Sequence, residues 1–165
     1  MKKKILVLLV VLCVAATAQV YAFGLGAQLN FSAGEVFAPG LSLVLSPSRI
    51  THLAFNWYID FDSGSTVGLA YDLSPVRLQL MSCELMFFNF TLGIGLFSNL
   101  TLEEKIIITS GLRIPVGFSL FFGRNFEVYT HVAPSYGVNL VPSLKFSNPF
   151  YPIALGARLW IKSPI

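Results

Sequence analysis

Residues 23–32 read FGLGAQLNFS: Phe23, Leu25, Ala27, Leu29 and Phe31 alternate with Gly24, Gly26, Gln28 and Asn30. Successive side chains of a strand point to opposite faces, so strict two-residue spacing means one strand meeting two different environments. A soluble sheet would turn the apolar face inward. A barrel in an outer membrane turns it outward, toward lipid.

The same period recurs along the chain, in GLSLVLS (40–46), THLAFNWYIDF (51–61), TVGLAYDL (66–73), FNFTLGIGL (88–96), IIITSGLRIPVGFSLFF (106–122), FEVYTHVAPSYGVNL (126–140) and IALGARLWI (153–161). With the first stretch these make eight strands, an even number as expected of a bacterial barrel. Most have about the 9–11 residues of a tilted membrane crossing. VRLQLMSCELMF (76–87) alternates too, and could extend the fourth strand, form a long turn or pair separately. Pro115 and Pro134 fall inside strands, where each removes a ladder donor, so bulges or bends are expected there.

The N-terminus, MKKKILVLLVVLCVAATAQVYA, has the anatomy of a secretory signal peptide. Lys2 to Lys4 form a positive start, Ile5 to Ala18 an apolar stretch, and ATA (16–18) and VYA (20–22) two cleavage frames. The alternating strand begins right after Ala22, which favours cleavage there. The domains expected are a signal peptide, 1–22, and a barrel, 23–165. Cys13 follows Leu12 rather than a small residue, which argues against a lipoprotein signal. The chain has 11 Lys+Arg and 8 Asp+Glu, and Lys2, Lys3 and Lys4 carry the whole excess. Without them the charges balance, so nucleic acid is not an expected partner. Cys83 would be the one remaining cysteine, which excludes an internal disulfide and a cysteine-based metal site. The chain is 55% hydrophobic and 12% charged, yet beyond the leader no run of 18 residues is uninterruptedly apolar. In lipid only helices and closed barrels satisfy every backbone group, so this composition points to a barrel.

A soluble coat is normally rich in Lys and Glu, and the polar face here is poor in both. The alternation therefore assigns the lumen to Gln28, Asn30, His52, Asn56, Tyr58, Asp60, Asp72, Asn89, Thr91, Arg113, Glu127, His131 and Arg158. An eight-stranded barrel is just wide enough to be filled by side chains, and buried charges must be paired. Arg113 and Arg158 are thus expected in an ion-pair network that fills the interior. Aromatics near strand ends suggest girdles at the two membrane interfaces. Phe23, Phe87, Phe88, Phe121, Phe122, Phe126 and Trp160 would lie on the periplasmic side, and Phe31, Phe97, Phe150 and Tyr151 on the other.

Glu127, His131 and Ser135 share a face and resemble a hydrolytic triad. Within one strand, positions four apart stand roughly 13 Å from each other, beyond hydrogen-bond reach. His52 and His131 show no metal-ligand spacing, and the glycine-rich GLGAQL and LGIGL open no helix that could cradle a phosphate. Neither catalysis, metal nor cofactor is expected, and Cys83 is expected to pack near a turn.

At GLRIPVG (111–117), VAPSYGVNLVP (132–142) and GARLWI (156–161) the chain resembles small outer-membrane barrels best known from spirochaetes. It is similar more generally to the OmpA/OmpX and OmpW types of eight-stranded barrel. The resemblance implies an outer-membrane protein without catalytic residues. Barrels of this kind commonly end on an aromatic residue, whereas this chain continues past Trp160 through Lys162, Ser163, Pro164 and Ile165.

The reading is an all-β protein, an eight-stranded antiparallel transmembrane β-barrel of up-and-down meander topology. It is expected in the cell outer membrane after Sec-type export, as a monomer whose partners are membrane lipid and the assembly machinery. Its role would be structural or at the surface, with a largely filled lumen. The alternatives are an OmpW-like narrow conduit for small or hydrophobic solutes and a soluble periplasmic ligand-binding barrel.

Overall fold

The computed structural model describes residues 22–33, 38–60, 64–102 and 106–161, with only the backbone at 32, 33, 38, 60 and 64. Residues 1–21 of the expected leader, the loop segments 34–37, 61–63 and 103–105, and the tail 162–165 lie outside the described residues.

Each alternating stretch forms a strand. In chain order these are β1 (Gly24–Ala33), β2 (Ala38–Ser46), β3 (Thr51–Asp60), β4 (Gly64–Cys83), β5 (Met86–Leu102), β6 (Ile106–Arg113), β7 (Val116–Phe122), β8 (Phe126–Val132), β9 (Ser135–Val141), β10 (Lys145–Phe146) and β11 (Tyr151–Trp160). All pairings are antiparallel, and most strands pair with the next in sequence. The eleven segments make eight staves. β6 and β7 lie end to end along β5 in one register, with Arg113 opposite Gly95 and Val116 opposite Leu92. β8 and β9 continue each other in the same way beside them. β10 and β11 form the last stave, and β11 pairs with β1 to close the ring.

Following paired residues once around, from Phe90 through Phe118, Thr130, Leu155, Leu29, Leu41, Trp57 and Val67 to Leu100, returns to β5 ten residues along. With a rise of about 3.3 Å per residue and strands about 4.8 Å apart, this stagger over eight staves tilts them by about 40°. A ten-residue strand at that tilt climbs about 25 Å, the height of the apolar band of a transmembrane barrel.

The prolines behave differently from expectation. Pro115 and Pro134 interrupt the strands, but the register runs through both without a bulge. Each loses its donor and keeps its acceptor: Gly93 N donates to the Pro115 carbonyl at 2.9 Å, and Ile114 N to the Pro134 carbonyl at 3.0 Å. The bulges fall elsewhere. In β4 the register slips between Leu73 and Val76, at Ser74–Pro75, and again between Gln79 and Met81. The ambiguous 76–87 segment is resolved by this strand: β4 runs on to Cys83, turns at Glu84–Leu85 and returns as β5. Cys83 is a free thiol, exposed at that turn. The β7–β8 turn holds Gly123 at φ 61°, a left-handed conformation that glycine adopts without a Cβ penalty.

The outward rows are apolar. Leu41, Trp57 and Leu159 are 55%, 52% and 60% exposed, and comparable rows continue on every stave. A contiguous apolar surface of this extent has no stable place in water, so this is the lipid-facing wall of a membrane-spanning barrel. Polarity is inverted relative to a soluble protein, because the buried side chains are largely Gln, Asn, Ser, His, Asp, Glu and Arg.

Candidate functional site: the barrel interior

The lower lumen is organised around Glu127, whose exposure is 0%. Its Oε2 accepts from Arg158 Nε at 2.5 Å and from Trp160 Nε1 at 2.9 Å, while Oε1 accepts from Arg77 Nη2 at 3.1 Å. Arg158 stands directly across from Glu127 in the β8–β11 register, so the sheet itself delivers the pair. The Arg158 guanidinium also donates through Nη1 to Ser46 at 2.5 Å, and lies 4.6 Å and 5.0 Å from the Tyr129 and Trp160 ring centres. Those cation–π contacts add to the ion pair in the buried interior.

A second pair, Asp72 and Arg113, is built across a strand. Gly95 stands between them in the row, opposite Asp72 on one side and Arg113 on the other. Lacking a side chain, it lets Arg113 Nε come within 3.0 Å of Asp72 Oδ1. The atoms are in Coulombic contact but not aligned for a hydrogen bond, and both are without a hydrogen-bond partner. Arg113 Nη2 meets His131 Nε2 at 3.1 Å.

Gly156 serves the same purpose between Tyr129 and Gln28, whose side chains bond across it at 2.9 Å. From there one directed chain runs along the wall. Tyr129 donates to Gln28, Gln28 to Asn30 at 2.7 Å, Asn30 to Ser42, and Ser42 to Asn56 at 2.7 Å. Bonds that all point the same way polarise one another. The glycine-rich lumen thus has a steric reason: small residues between staves make room for large polar partners. A Cβ at Gly156 would meet the Tyr129 ring at 2.5 Å.

Most of the polar residues assigned from alternation lie on the inner wall. Gln28, Asn30, His52, Asn56, Tyr58, Asp72, Asn89, Arg113, Glu127 and Arg158 are buried, and Thr91 and His131 are half-buried in the same rows. The side chain of Asp60 lies outside the described residues. Glu127, His131 and Ser135 have separate partners: Ser135 donates to the Ala133 carbonyl, and His131 faces Arg113.

Two groups depart from the reading. Arg77 was not among the lumen residues, yet it bonds Glu127 and lies over Phe121 at 5.3 Å. The Ser74–Pro75 bulge adds one residue to β4 and exchanges its faces, which brings an odd-numbered residue inside. A proline inside an alternating run was the available signal. The aromatic residues expected in the girdle divide between the two faces. Phe121 and Trp160 are 1% and 2% exposed and pack with Ala22 and Phe87 into a cap at the lower end of the lumen. Phe97 and Phe150 pack edge to face at 5.1 Å against Val44, Ala54 and Ala70 inside the barrel. Strand parity decides their side, and being aromatic near a strand end does not. Phe122, Phe126 and Tyr151 do face outward, and Phe88 stacks on the outward Phe118. Phe23 and Phe31 are half-buried.

No family model matches the chain, and no curated protein matches it. Among solved structures it is similar to the N-terminal β-barrel domain of Pseudomonas aeruginosa OprF, with 12% identity, a TM-score of 0.49, and 84% of this chain and 97% of that one covered. Neisserial surface protein A is similar with 10% identity and a TM-score of 0.49, over 84% of this chain and 95% of that one. At such identities no residue role carries over. The resemblance to spirochaete barrels rests on the sequence motifs alone.

Space remains beside the ion pairs. A cavity of about 40 Å³ is lined by His52, Asp72, Arg77, Thr91, Glu127 and Arg158 among others. About 10–15 Å³ is enough to hold one water, so the cavity has room for a water-sized occupant. Among the described residues no group of three or more metal-ligating side chains converges.

Proposed function

We propose that this chain is a non-enzymatic outer-membrane barrel protein with a structural or surface role and a lumen plugged by its own side chains. Its route is Sec-type export, with cleavage after Ala22 and insertion by the outer-membrane assembly machinery as a monomer. The observation that carries the reading is the Glu127–Arg158–Arg77 cluster seated on the Phe121–Trp160 cap, which occupies the lower lumen. A charge cluster this well hydrogen-bonded is costly to open, because each partner would be stranded in a low-dielectric interior. The lipid-facing wall and its height of about 25 Å support the membrane assignment.

Single-channel recording of the folded barrel in a planar bilayer tests the plug. A folded, heat-modifiable and electrically silent protein is expected. Discrete, reproducible conductance steps would replace the plug with a narrow solute conduit. N-terminal sequencing of membrane-inserted protein checks the leader, with Phe23 expected first. A start at Gln19 would instead retain Ala22 in the aromatic cap.

A further inference from the structure

The ion pairs of the lower lumen do not balance. Among the described residues, Arg77, Arg113 and Arg158 pair with only two acidic partners there, Asp72 and Glu127, and Arg49 lines the same cavity, so positive charge is in excess. Glu127 is saturated by three donors, so the surplus is not spread evenly. It falls where donors lack partners. Arg77 Nη1 is buried without a hydrogen bond, and so is His52 Nε2.

The histidine proton can be placed from its neighbour. His52 Nδ1 lies 3.3 Å from Arg158 Nη1. A guanidinium can only donate, so Nδ1 is the acceptor and the ring proton sits on Nε2. His52 therefore presents an unanswered N–H inside the barrel, on a residue more than nine-tenths buried. His52, Arg77 and Thr91 line the same cavity.

We propose that this cavity binds one small inorganic anion of halide size, held by Arg77 Nη1–H and His52 Nε2–H. An anion there offsets part of the excess positive charge and answers these two donors. A cavity volume of about 40 Å³ accommodates a halide. Asp72 is accommodated because Arg113 stands against it, 3.0 Å away.

The test compares thermal unfolding of the folded barrel in sodium chloride and in sodium gluconate at equal ionic strength. Gluconate supplies the same ionic strength with a bulky organic anion in place of the halide. Chloride is expected to raise Tm saturably above gluconate, by about 5–10 °C at a hundredfold excess over Kd. Arg77→Gln should remove that increment while leaving the gluconate Tm measurable. If that variant fails to fold, crystals of the unaltered protein grown in sodium bromide give a second readout. An anomalous peak in contact with Arg77 and His52 supports the site. Equal Tm values in the two salts, or bromide peaks confined to the outer surface with only water in the cavity, would overturn it.

Discussion

Glu127 and Asp72 are both carboxylates buried in the same lumen, and they are held in opposite ways. Glu127 sits beside its principal partner in the ladder and accepts three aligned bonds from Arg158, Arg77 and Trp160. Asp72 reaches its partner across the bare backbone of Gly95, in contact but without alignment, and faces a cavity. The first arrangement is a keystone, and the second leaves hydrogen-bonding capacity unused. In a small barrel, saturated charges fix shape, while unsaturated ones mark where water or a ligand belongs.

The contrast can be broken from either side, and equilibrium unfolding of the folded barrel in detergent measures each change. Glu127→Gln should be the most damaging substitution, at about 5 kcal/mol, because it strands two arginines at once. A loss below that of the next variant would mean the cluster is solvated. Arg113→Ala should cost about 3 kcal/mol, the lower end for a broken buried pair, since its contact with Asp72 is poorly aligned. An unchanged midpoint would place Asp72 in water.

Gly95→Ala sharpens the comparison, because it leaves both charges and fills the gap between them. Its Cβ would press on the Asp72 carboxylate and the Tyr71 carbonyl, so about 2 kcal/mol of overpacking is expected. No loss would show that the row relaxes freely. Trp160→Phe should be mildest, at about 1.5 kcal/mol, since it deletes one bond to a charged acceptor and keeps the cap packed. If it proved worse than Gly95→Ala, the indole would be more central to the keystone than its single bond suggests.

How far these centres could be read from sequence follows from where each residue's position is decided. His52, Asp72, Arg113, Glu127 and Arg158 were legible as inward-facing because alternation is local: a residue's side is set by its neighbours in the chain. Arg77 was not, because a bulge three residues earlier reset the parity. Trp160 stood on the inward side by its alternation with Leu159 and Ile161, and chemical type misled by suggesting the membrane interface. The glycines were visible in the sequence without a purpose, and only the row neighbours on either side supply one.

The sequence by itself determined that the chain forms alternating strands, that the apolar side faces lipid, and which residues of the regular stretches point inward. These follow from the two-residue period and from solvent preference, and both act on short segments. The tertiary structure decided who meets whom. Pairing Glu127 with Arg158, Asp72 with Arg113 across Gly95, and Tyr129 with Gln28 across Gly156 depends on register and on the ten-residue stagger of the closed ring. Closure is a property of all eight staves together, so no single stretch of sequence contains it.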